Sequence, residues 1–234
     1  MTDLLFHHTQ NFVNMMVSGA SRQDFWITAD THFNHKNICR GVTDWRMPDG
    51  SVPISQTRDF PDLDAMNDAI VNGINNVVGQ YDVLIHLGDW SFGGFESIQK
   101  FYDRLICKNI YLYLGNHDHH IKKNKNGIKS LFLGVYEEND EYKFERHMFH
   151  INHYPILSWK DIKKGTIHLH GHTHFKGDDR FGKGKMMDIG IDGHPEFRPY
   201  NLLTEIIPLM DNRPIKSQYN NGVDHHVDRI RHKY

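Results

Sequence analysis

The sequence lacks several features that would assign it to a specialised class of protein. It has only two cysteines, Cys39 and Cys107, which excludes a disulfide-stapled scaffold and a cysteine-rich zinc module and favours a reducing, cytoplasmic environment. It has no run of 18 apolar residues, so we expect no membrane span. Its 27 Lys and Arg nearly balance its 29 Asp and Glu, which argues against extensive nucleic-acid binding.

Histidine, in contrast, is abundant, with 19 copies among 234 residues. It is the commonest metal ligand in proteins and the side chain that titrates nearest to neutral pH. The composition therefore indicates metal chemistry before any motif is considered.

The pattern of apolar residues predicts an α/β fold. We expect strands over 24–29, 82–87 and 109–114, and amphipathic helices over about 62–78 and 95–105. This alternation is typical of a layered α/β fold that binds ligands at the carboxyl ends of its strands. The second half is richer in strands and predicts a second sheet packed on the first. Its candidate strands are 141–152, 166–170, 185–189 and 202–207.

The composition also divides the chain into three predicted parts. An N-terminal appendage over 1–24 precedes the main domain over 25–207, and a polar C-terminal tail over 208–234 is expected to lie on the surface or to fray. The sequence carries no signal for the oligomeric state.

Five short motifs carry the candidate chemistry, and each follows a predicted strand. They are Asp30-Thr31-His32, Gly88-Asp89, Gly115-Asn116-His117-Asp118, His153 in NHYP, and Gly171-His172-Thr173-His174. A strand holds its last residue rigidly, so the side chains that follow several strands can converge on one point. Each motif alone has a plainer interpretation as a turn or a packing histidine. Their ordered combination favours a metal site.

The number of these side chains indicates two metal ions. Without His117, the motifs supply two Asp, one Asn and four His. Seven ligands are too many for one tetrahedral zinc ion, but they suit two cations about 3.5–4 Å apart that share a carboxylate. Oxygen and imidazole donors without a thiolate do not choose among manganese, iron, zinc, cobalt and nickel, of which we expect manganese.

The ordered set D-x-H, G-D, G-N-H-D, H and G-H-x-H resembles the signature of the calcineurin-like metallophosphoesterases. The surrounding segments DTHFNHKNI, HLGDWSFGG, LGNHD, INHYPI and HLHGHTH are similar to those of compact phosphoesterases of bacteria and phages. The resemblance extends over about residues 25–207. It implies an α/β fold of two mixed β-sheets, packed as a sandwich and flanked by helices in four layers.

The resemblance also implies a role for each residue. It assigns the seven ligands to two metal ions: Asp30, His32 and His174 to the first, Asn116, His153 and His172 to the second, and Asp89 to both. His117 would be a catalytic, non-ligand histidine beside the scissile phosphate, and Asp118 would orient its ring.

The expected reaction is the hydrolysis of a phosphate ester by a hydroxide that bridges two metal ions. We lean to phosphodiesters or nucleotide-type small molecules as substrates. A phosphomonoesterase (a phosphatase) of the same mechanism is an alternative, because the motifs do not separate the two ester classes. A catalytically weak metal-binding or interaction module is a further alternative, and the complete set of motifs argues against it.

Three further residues are candidates for substrate binding. His35 has two interpretations of equal weight: a side chain that contacts the substrate, or a histidine that packs within its loop. Arg40 and Arg46 lie between the first two motifs, where a guanidinium could form a fork onto a phosphate. A solvated loop residue is the plainer interpretation of both arginines.

Overall fold

The computed structural model describes residues 23–137 and 139–215. Most of the predicted appendage (1–24) and of the predicted tail (208–234) lies outside the described residues, so the three-part division stays a prediction. The strands are β1 (Phe25–Thr28), β2 (Cys39–Arg40), β3 (Arg58–Asp59), β4 (Val83–His86), β5 (Ile110–Tyr113), β6 (Gly134–Tyr136), β7 (Asp140–Phe144), β8 (His147–Ile151), β9 (Ile167–His170), β10 (Met186–Asp188) and β11 (Tyr200–Asn201).

Within the part of the chain that the structure describes, four α-helices and several shorter helical turns accompany the strands. The α-helices are α1 (Leu63–Asn75), α2 (Phe95–Arg104), α3 (His119–Lys122) and α4 (Ile207–Asp211), and a π-helical turn covers Leu202–Ile206. Turns of 3-10 helix cover Lys36–Ile38, Lys125–Leu131, Ile162–Lys164, Gly177–Arg180 and Ile191–Gly193. Among the described residues, no helix has the length and apolar character needed to span a membrane.

The first sheet has five strands in the order β11-β1-β4-β5-β6. Strands β1, β4, β5 and β6 are parallel, and β11 runs antiparallel to β1. Strands β4 and β5 are buried on both faces, as their continuous apolar runs predict. The carboxyl ends of β1, β4 and β5 therefore lie side by side at one edge.

The second sheet has four strands in the order β10-β9-β8-β7. Strands β8, β9 and β10 are parallel, and β7 is antiparallel to β8. A bridge between Ala29 and Gly190 joins the ends of β1 and β10, so that the carboxyl edges of the two sheets meet.

Two apolar cores hold these layers together. The core between the sheets contains Ile27 and Ile85 from the first sheet and Phe149 and Leu169 from the second, all of them buried. The other core joins the first sheet to α1 and α2. Helix α1 begins where the carboxylate of Asp62 accepts a hydrogen bond from the N–H of Ala65. The predicted α/β fold of two mixed sheets with flanking helices is confirmed.

Most of the predicted strands and helices are present, but two predictions are wrong. Segment 141–152 is a hairpin of β7 and β8 rather than one strand, because Glu145 adopts a φ of 52° between them and the chain reverses. Segment 202–207 is helical rather than extended. The side chain of Asn201 accepts hydrogen bonds from the first N–H groups of this segment, and Glu205 accepts one from the N–H of Asn201. The chain stays packed beyond residue 207, since Met210 is buried in the core between the sheets.

Candidate metal centre

The five motifs meet at the shared carboxyl edge of the two sheets. Asp30 and His32 follow β1, Asp89 follows β4, Asn116 follows β5, His153 follows β8, and His172 and His174 follow β9. Because these strands are parallel within each sheet and the two edges are joined, the fold brings all seven predicted ligands into one place.

Six of these side chains form two compact groups that could each hold a cation. The first cluster is Asp30, His32 and His174, and the second cluster is Asp89, His153 and His172. Within each cluster, one ligand atom from every residue lies within 4.8 Å of the others.

Asp89 lies between the two clusters. Its Oδ2 is 3.4 Å from Nε2 of His32 in the first cluster and 3.4 Å from Nε2 of His153 in the second. Its Oδ1 accepts a hydrogen bond from the N–H of His117 at 2.8 Å. One buried carboxylate is thus placed to contact a cation in either cluster.

Asn116 joins the second cluster from its exposed side. Its Oδ1 lies 3.0 Å from Nε2 of His153, while Nδ1 of His153 donates a hydrogen bond to the carbonyl of Leu87 at 2.8 Å. With its proton on Nδ1, the His153 ring presents a lone pair at Nε2. A cation bound between these two atoms would accept a lone pair from each.

A buried carboxylate oxygen without a hydrogen-bond partner also favours metal binding at this centre. Oδ1 of Asp30 is buried and makes no hydrogen bond among the described residues, and it lies 3.9 Å from Nε2 of His32. A buried unpaired polar atom costs about 1–3 kcal/mol, a cost that metal coordination would remove. Carboxylate, amide and imidazole groups together form a donor set that suits divalent transition metals.

Burial and neighbouring charges shift the pKa values of the predicted ligands in different directions. Burial raises the pKa of Asp30 to about 7. Burial opposes a charged ring at His153, yet its hydrogen bond to Asp89 and the charge of Asp30 raise its pKa to about 9. Burial, together with the charges of His174 and Arg58, lowers the pKa of His32. Without cations, protons are therefore held at Asp30 and His153 and not at His32.

A buried ion pair supports the first cluster. Oδ2 of Asp192 lies 2.8 Å from Nδ1 of His174, which leaves Nε2 of that ring free to bind a metal ion. The fully buried Arg58 donates to both oxygens of Asp192 at 2.9 and 2.8 Å, and also to the carbonyls of Asp30 and Thr31. Burial alone would raise the pKa of Asp192, but Arg58 and His174 hold it well below its usual value.

Neutral groups support the second cluster. The carbonyl of Leu87 fixes the ring of His153, as described above. Three residues further along, the N–H of Ile156 donates to Nε2 of the buried His168 at 3.2 Å, and Nδ1 of His168 donates to the carbonyl of His150 at 3.1 Å. Burial lowers the pKa of His168 to about 3, so this ring is neutral.

Asp188 holds the loop that carries His172 and His174. It ends β10, and its Oδ2 accepts hydrogen bonds from the hydroxyl of Thr173 and from the N–H of Phe175. Its Oδ1 accepts from the N–H of Gly190 at 2.7 Å. The loop is therefore fixed from the second sheet.

The backbone at the centre is strained and tightly packed. Five of the predicted ligands have left-handed φ angles, namely Asp30 (57°), His32 (47°), Asp89 (60°), His172 (73°) and His174 (52°). Such a conformation costs of order 1 kcal/mol or more for a residue with a Cβ, and it is typical of functional sites. Gly115 and Gly171 permit the close packing, because a Cβ on either would overlap the carboxylate of Asp89 or of Asp30, respectively.

His117 lies beside the clusters, and the carboxylate of Asp118 accepts hydrogen bonds from backbone N–H groups. The centroid of the His117 ring is 5.4 Å from that of His32. Oδ2 of Asp118 accepts from the N–H groups of Asp89 and Gly115 at 2.7 and 2.8 Å, and its Oδ1 accepts from the N–H of Trp90 at 2.9 Å. Asp118 thus fixes the turn that carries Asp89, and no hydrogen bond joins it to the His117 ring among the described residues.

The three predicted substrate-binding residues lie in different surroundings. The ring of His35 stacks on Phe92 at 3.6 Å and lies 5.1 Å from His32, close to the first cluster. The guanidinium of Arg40 donates to the carbonyl of Gln56, and that of Arg46 donates to carbonyls of its own loop. Substrate binding by these residues stays a prediction.

Sequence reasoning missed the residues that support the ligands, namely Arg58, Asp188, Asp192 and Phe92. Asp188 follows the same rule as Asp30, since it is a carboxylate at the end of a predicted strand, and it could have been found. Arg58 and Asp192 are 134 positions apart and pair only in the folded chain. No local pattern identifies them.

Comparisons with known proteins show what this chain is similar to. A family model described as calcineurin-like phosphoesterase matches residues 24–189. An uncharacterized protein of Methanocaldococcus jannaschii is 26% identical over 153 residues, which cover 60% of this chain and 78% of that protein. A protein of unknown function from Aquifex aeolicus shares the fold with a TM-score of 0.54 at 19% identity, and the match covers 80% of this chain and 99% of that one.

A match of lower structural similarity is to a novel archaeal phosphodiesterase, with a TM-score of 0.38 at 22% identity over 72% of this chain and 84% of that one. The family assignment does not depend on it. Because the family model spans more than half of a chain that brings its motifs together at one edge, this chain belongs to the calcineurin-like phosphoesterase family.

Proposed function

We propose that this protein hydrolyses phosphate esters with the help of two divalent metal ions, and we expect both ions to be manganese. The observation that carries the proposal is the position of Asp89, whose Oδ2 is 3.4 Å from an imidazole nitrogen of each cluster. When bound, the two ions would lower the pKa of water to generate a nucleophile and would neutralise charge on the phosphate.

The two ions would be bound by histidines with different supports, a carboxylate in the first cluster and a backbone carbonyl in the second. His174, fixed by Asp192, would bind in the first cluster together with Asp30 and His32. His153, fixed by the carbonyl of Leu87, would bind in the second together with His172 and the neutral oxygen of Asn116. Asp89 would serve both.

His117 would move the proton that the leaving group needs. One bond forms between phosphorus and a water oxygen, and the bond to the leaving oxygen breaks with its electron pair on that oxygen. The protonated His117 ring gives that oxygen a proton and regains one from solvent, while the attacking water loses its proton to solvent. The position of His117 beside His32, outside both clusters, supports this role.

We propose diesters or nucleotide-type small molecules as the substrate class. Tyr154 supports this choice, because its ring is half exposed and lies 4.8 Å from the ring of His172 and 4.9 Å from that of His153. A substituent on a phosphate that is bound at the second cluster would lie against the ring of Tyr154. A base or an aryl group can stack on such a ring. Monoester hydrolysis at the same centre is the alternative outcome.

A substrate comparison tests the proposal. Protein stripped with a chelator and reloaded with manganese should hydrolyse bis(p-nitrophenyl) phosphate faster than p-nitrophenyl phosphate, and stripped protein should hydrolyse neither. The variant His32→Ala should lose activity, whereas His147→Ala, at the opposite end of β8 from His153, should keep it. A preference for the monoester would replace the substrate class, and no metal-dependent activity on either ester would refute the proposed function.

A further inference from the structure

The ring of His117 needs a support other than Asp118. A general acid must present its N–H group to the leaving oxygen in a fixed direction, because a misdirected ring loses most of its catalytic effect. Both oxygens of Asp118 are occupied by backbone N–H groups. The neighbours of the His117 ring are instead aromatic: Phe92 at 4.9 Å, His32 at 5.4 Å and His35 at 5.9 Å between ring centroids.

Phe92 is the nearest of these rings, and it is itself held on both sides. Its ring stacks on His35 at a centroid distance of 3.6 Å with an interplanar angle of 13°. It also lies 5.6 Å from His32. His35 and Phe92 thus form a stacked pair, which faces His117 through the ring of Phe92.

The backbone of Phe92 is fixed by hydrogen bonds to two other elements. Its N–H donates to the carbonyl of Phe33 at 2.7 Å, and its carbonyl accepts from the hydroxyl of Ser97 in α2 at 2.7 Å. The same hydroxyl accepts from the amide of Asn34 at 2.9 Å. Asn34 in turn exchanges two hydrogen bonds with Asn67 of α1, at 3.0 and 2.9 Å. Phe92 is therefore tied to both helices that cover the first sheet.

We propose that Phe92 is a positioning residue, which holds the His117 ring in the direction required for proton donation. This inference rests on the proposed function of His117. The ring of Phe92, tilted by 41° to that of His117, restricts the rotation of the imidazole without forming a hydrogen bond. It leaves both ring nitrogens of His117 available for proton exchange with the substrate and the solvent.

The leaving group distinguishes positioning from a general structural role. An alkoxide is a poor leaving group and depends on the donated proton, whereas p-nitrophenolate leaves without one. We would compare a p-nitrophenyl ester of thymidine 5′-monophosphate with the dinucleotide thymidylyl-thymidine, using the manganese-loaded protein. In Phe92→Leu, kcat for the dinucleotide should fall about 100-fold, while kcat for the aryl ester should fall less than about threefold.

Two controls make this test specific. Phe92→Tyr retains the aromatic ring and should restore the kcat for the dinucleotide, and Phe92→Leu should keep the metal content of the wild type. In a His117→Ala background, Phe92→Leu should cause no further loss. Equal falls in kcat for both esters, or no fall for the dinucleotide, would overturn the proposal.

A readout without metal or substrate separates this proposal from the proposed function. In the metal-free protein, the NMR three-bond couplings that report χ1 of His117, with its signals assigned by His117→Ala, should indicate one side-chain rotamer. The couplings should move toward rotamer-averaged values in Phe92→Leu and return in Phe92→Tyr. If the wild type hydrolyses neither ester, the proposed function fails, and this NMR comparison alone decides whether Phe92 positions His117. Unchanged couplings in Phe92→Leu would refute it.

Discussion

The two candidate cation clusters share a carboxylate but differ in how they are supported. In the first cluster, Asp30 and His32 are buried, and the charged pair of Asp192 and Arg58 stands behind His174. In the second cluster, His172 is exposed, as is the neighbouring Asn116. Its two other members, Asp89 and His153, are buried, and Nδ1 of His153 donates to the backbone carbonyl of Leu87.

This difference indicates a division of labour between the clusters. An ionic support around a buried site fixes the ligands strongly and resists the loss of the metal ion. An open site with an amide ligand and neutral supports leaves room for a substrate oxygen. We therefore expect the first cluster to bind its metal ion more tightly and the second to contact the substrate.

The substitution with the largest expected effect removes Asp89, the carboxylate that the two clusters share. Asp89→Ala deletes the carboxylate near both His32 and His153, together with the acceptor for the N–H of His117. We expect kcat/KM for a diester to fall at least about 1,000-fold, because both clusters and the general acid are disturbed together. Elemental analysis should show the loss of about one metal equivalent per chain. Asp89→Asn is the matched control, which keeps the shape without the charge. Full metal content in Asp89→Ala would contradict the shared role.

The substitution with the next largest expected effect, at Asp192, should change metal binding at the first cluster alone. Asp192→Ala leaves the charge of Arg58 buried without its partner, which should lower the free energy of unfolding by about 3–5 kcal/mol. The His174 ring also loses its acceptor, so the affinity of the tighter manganese site should fall about 10–100-fold. Urea unfolding of the metal-free protein and manganese titration measure the two effects.

A double variant separates the two contributions of Asp192. Arg58→Met with Asp192→Leu removes both charges, so it should recover much of the lost stability while the tighter manganese site stays weak. If the single variant binds manganese as the wild type does, the ionic support has no bearing on the first cluster.

The smallest effect concerns the neutral support of the second cluster and depends on pH. His168 has a pKa lowered to about 3 by burial, against 6.5 in the unfolded chain. Its contribution to stability is therefore complete above pH 6.5 and is lost as the pH falls toward 3. Between pH 6.5 and 5, this loss should amount to about 1.5–2 kcal/mol in the free energy of unfolding.

The variant His168→Gln provides the comparison for that effect. It cannot titrate, so its free energy of unfolding should fall by about 1.5–2 kcal/mol less than that of the wild type over the same pH interval. Urea unfolding of the metal-free protein at both pH values measures the difference. The same pH dependence in both proteins would show that His168 is not the group involved.

The ligand-bearing edge could be predicted from the sequence because the signals are local. A buried strand followed by a carboxylate, an amide or an imidazole is visible within a few residues, as at Asp30, Asp89 and Asn116. Parallel strand order then places such residues together. The unlike supports of the two clusters could not be predicted, because Arg58 and Asp192 pair across 134 positions and β3, which carries Arg58, has only two residues.

The position of Asp118 shows a second limit of sequence reasoning. Its place in the G-N-H-D motif is local information, but the direction of its carboxylate depends on where the N–H groups of Asp89 and Trp90 point in the folded turn. The prediction of a strand over 202–207 is wrong for a different reason. Its apolar residues suit a strand or a helix, and the capping by Asn201 and Glu205, which decides between them, was present in the sequence.

The left-handed backbone at five of the predicted ligand positions has a consequence for how such a protein can evolve. Glycine would relax the main chain at each of these positions, so the substitutions that abolish the chemistry are also ones that would ease the scaffold. Selection for thermal stability alone would favour glycine at these positions and would yield a more stable, inactive protein. At these positions Asp and His cost backbone stability, and they supply the side chains that the proposed metal centre needs.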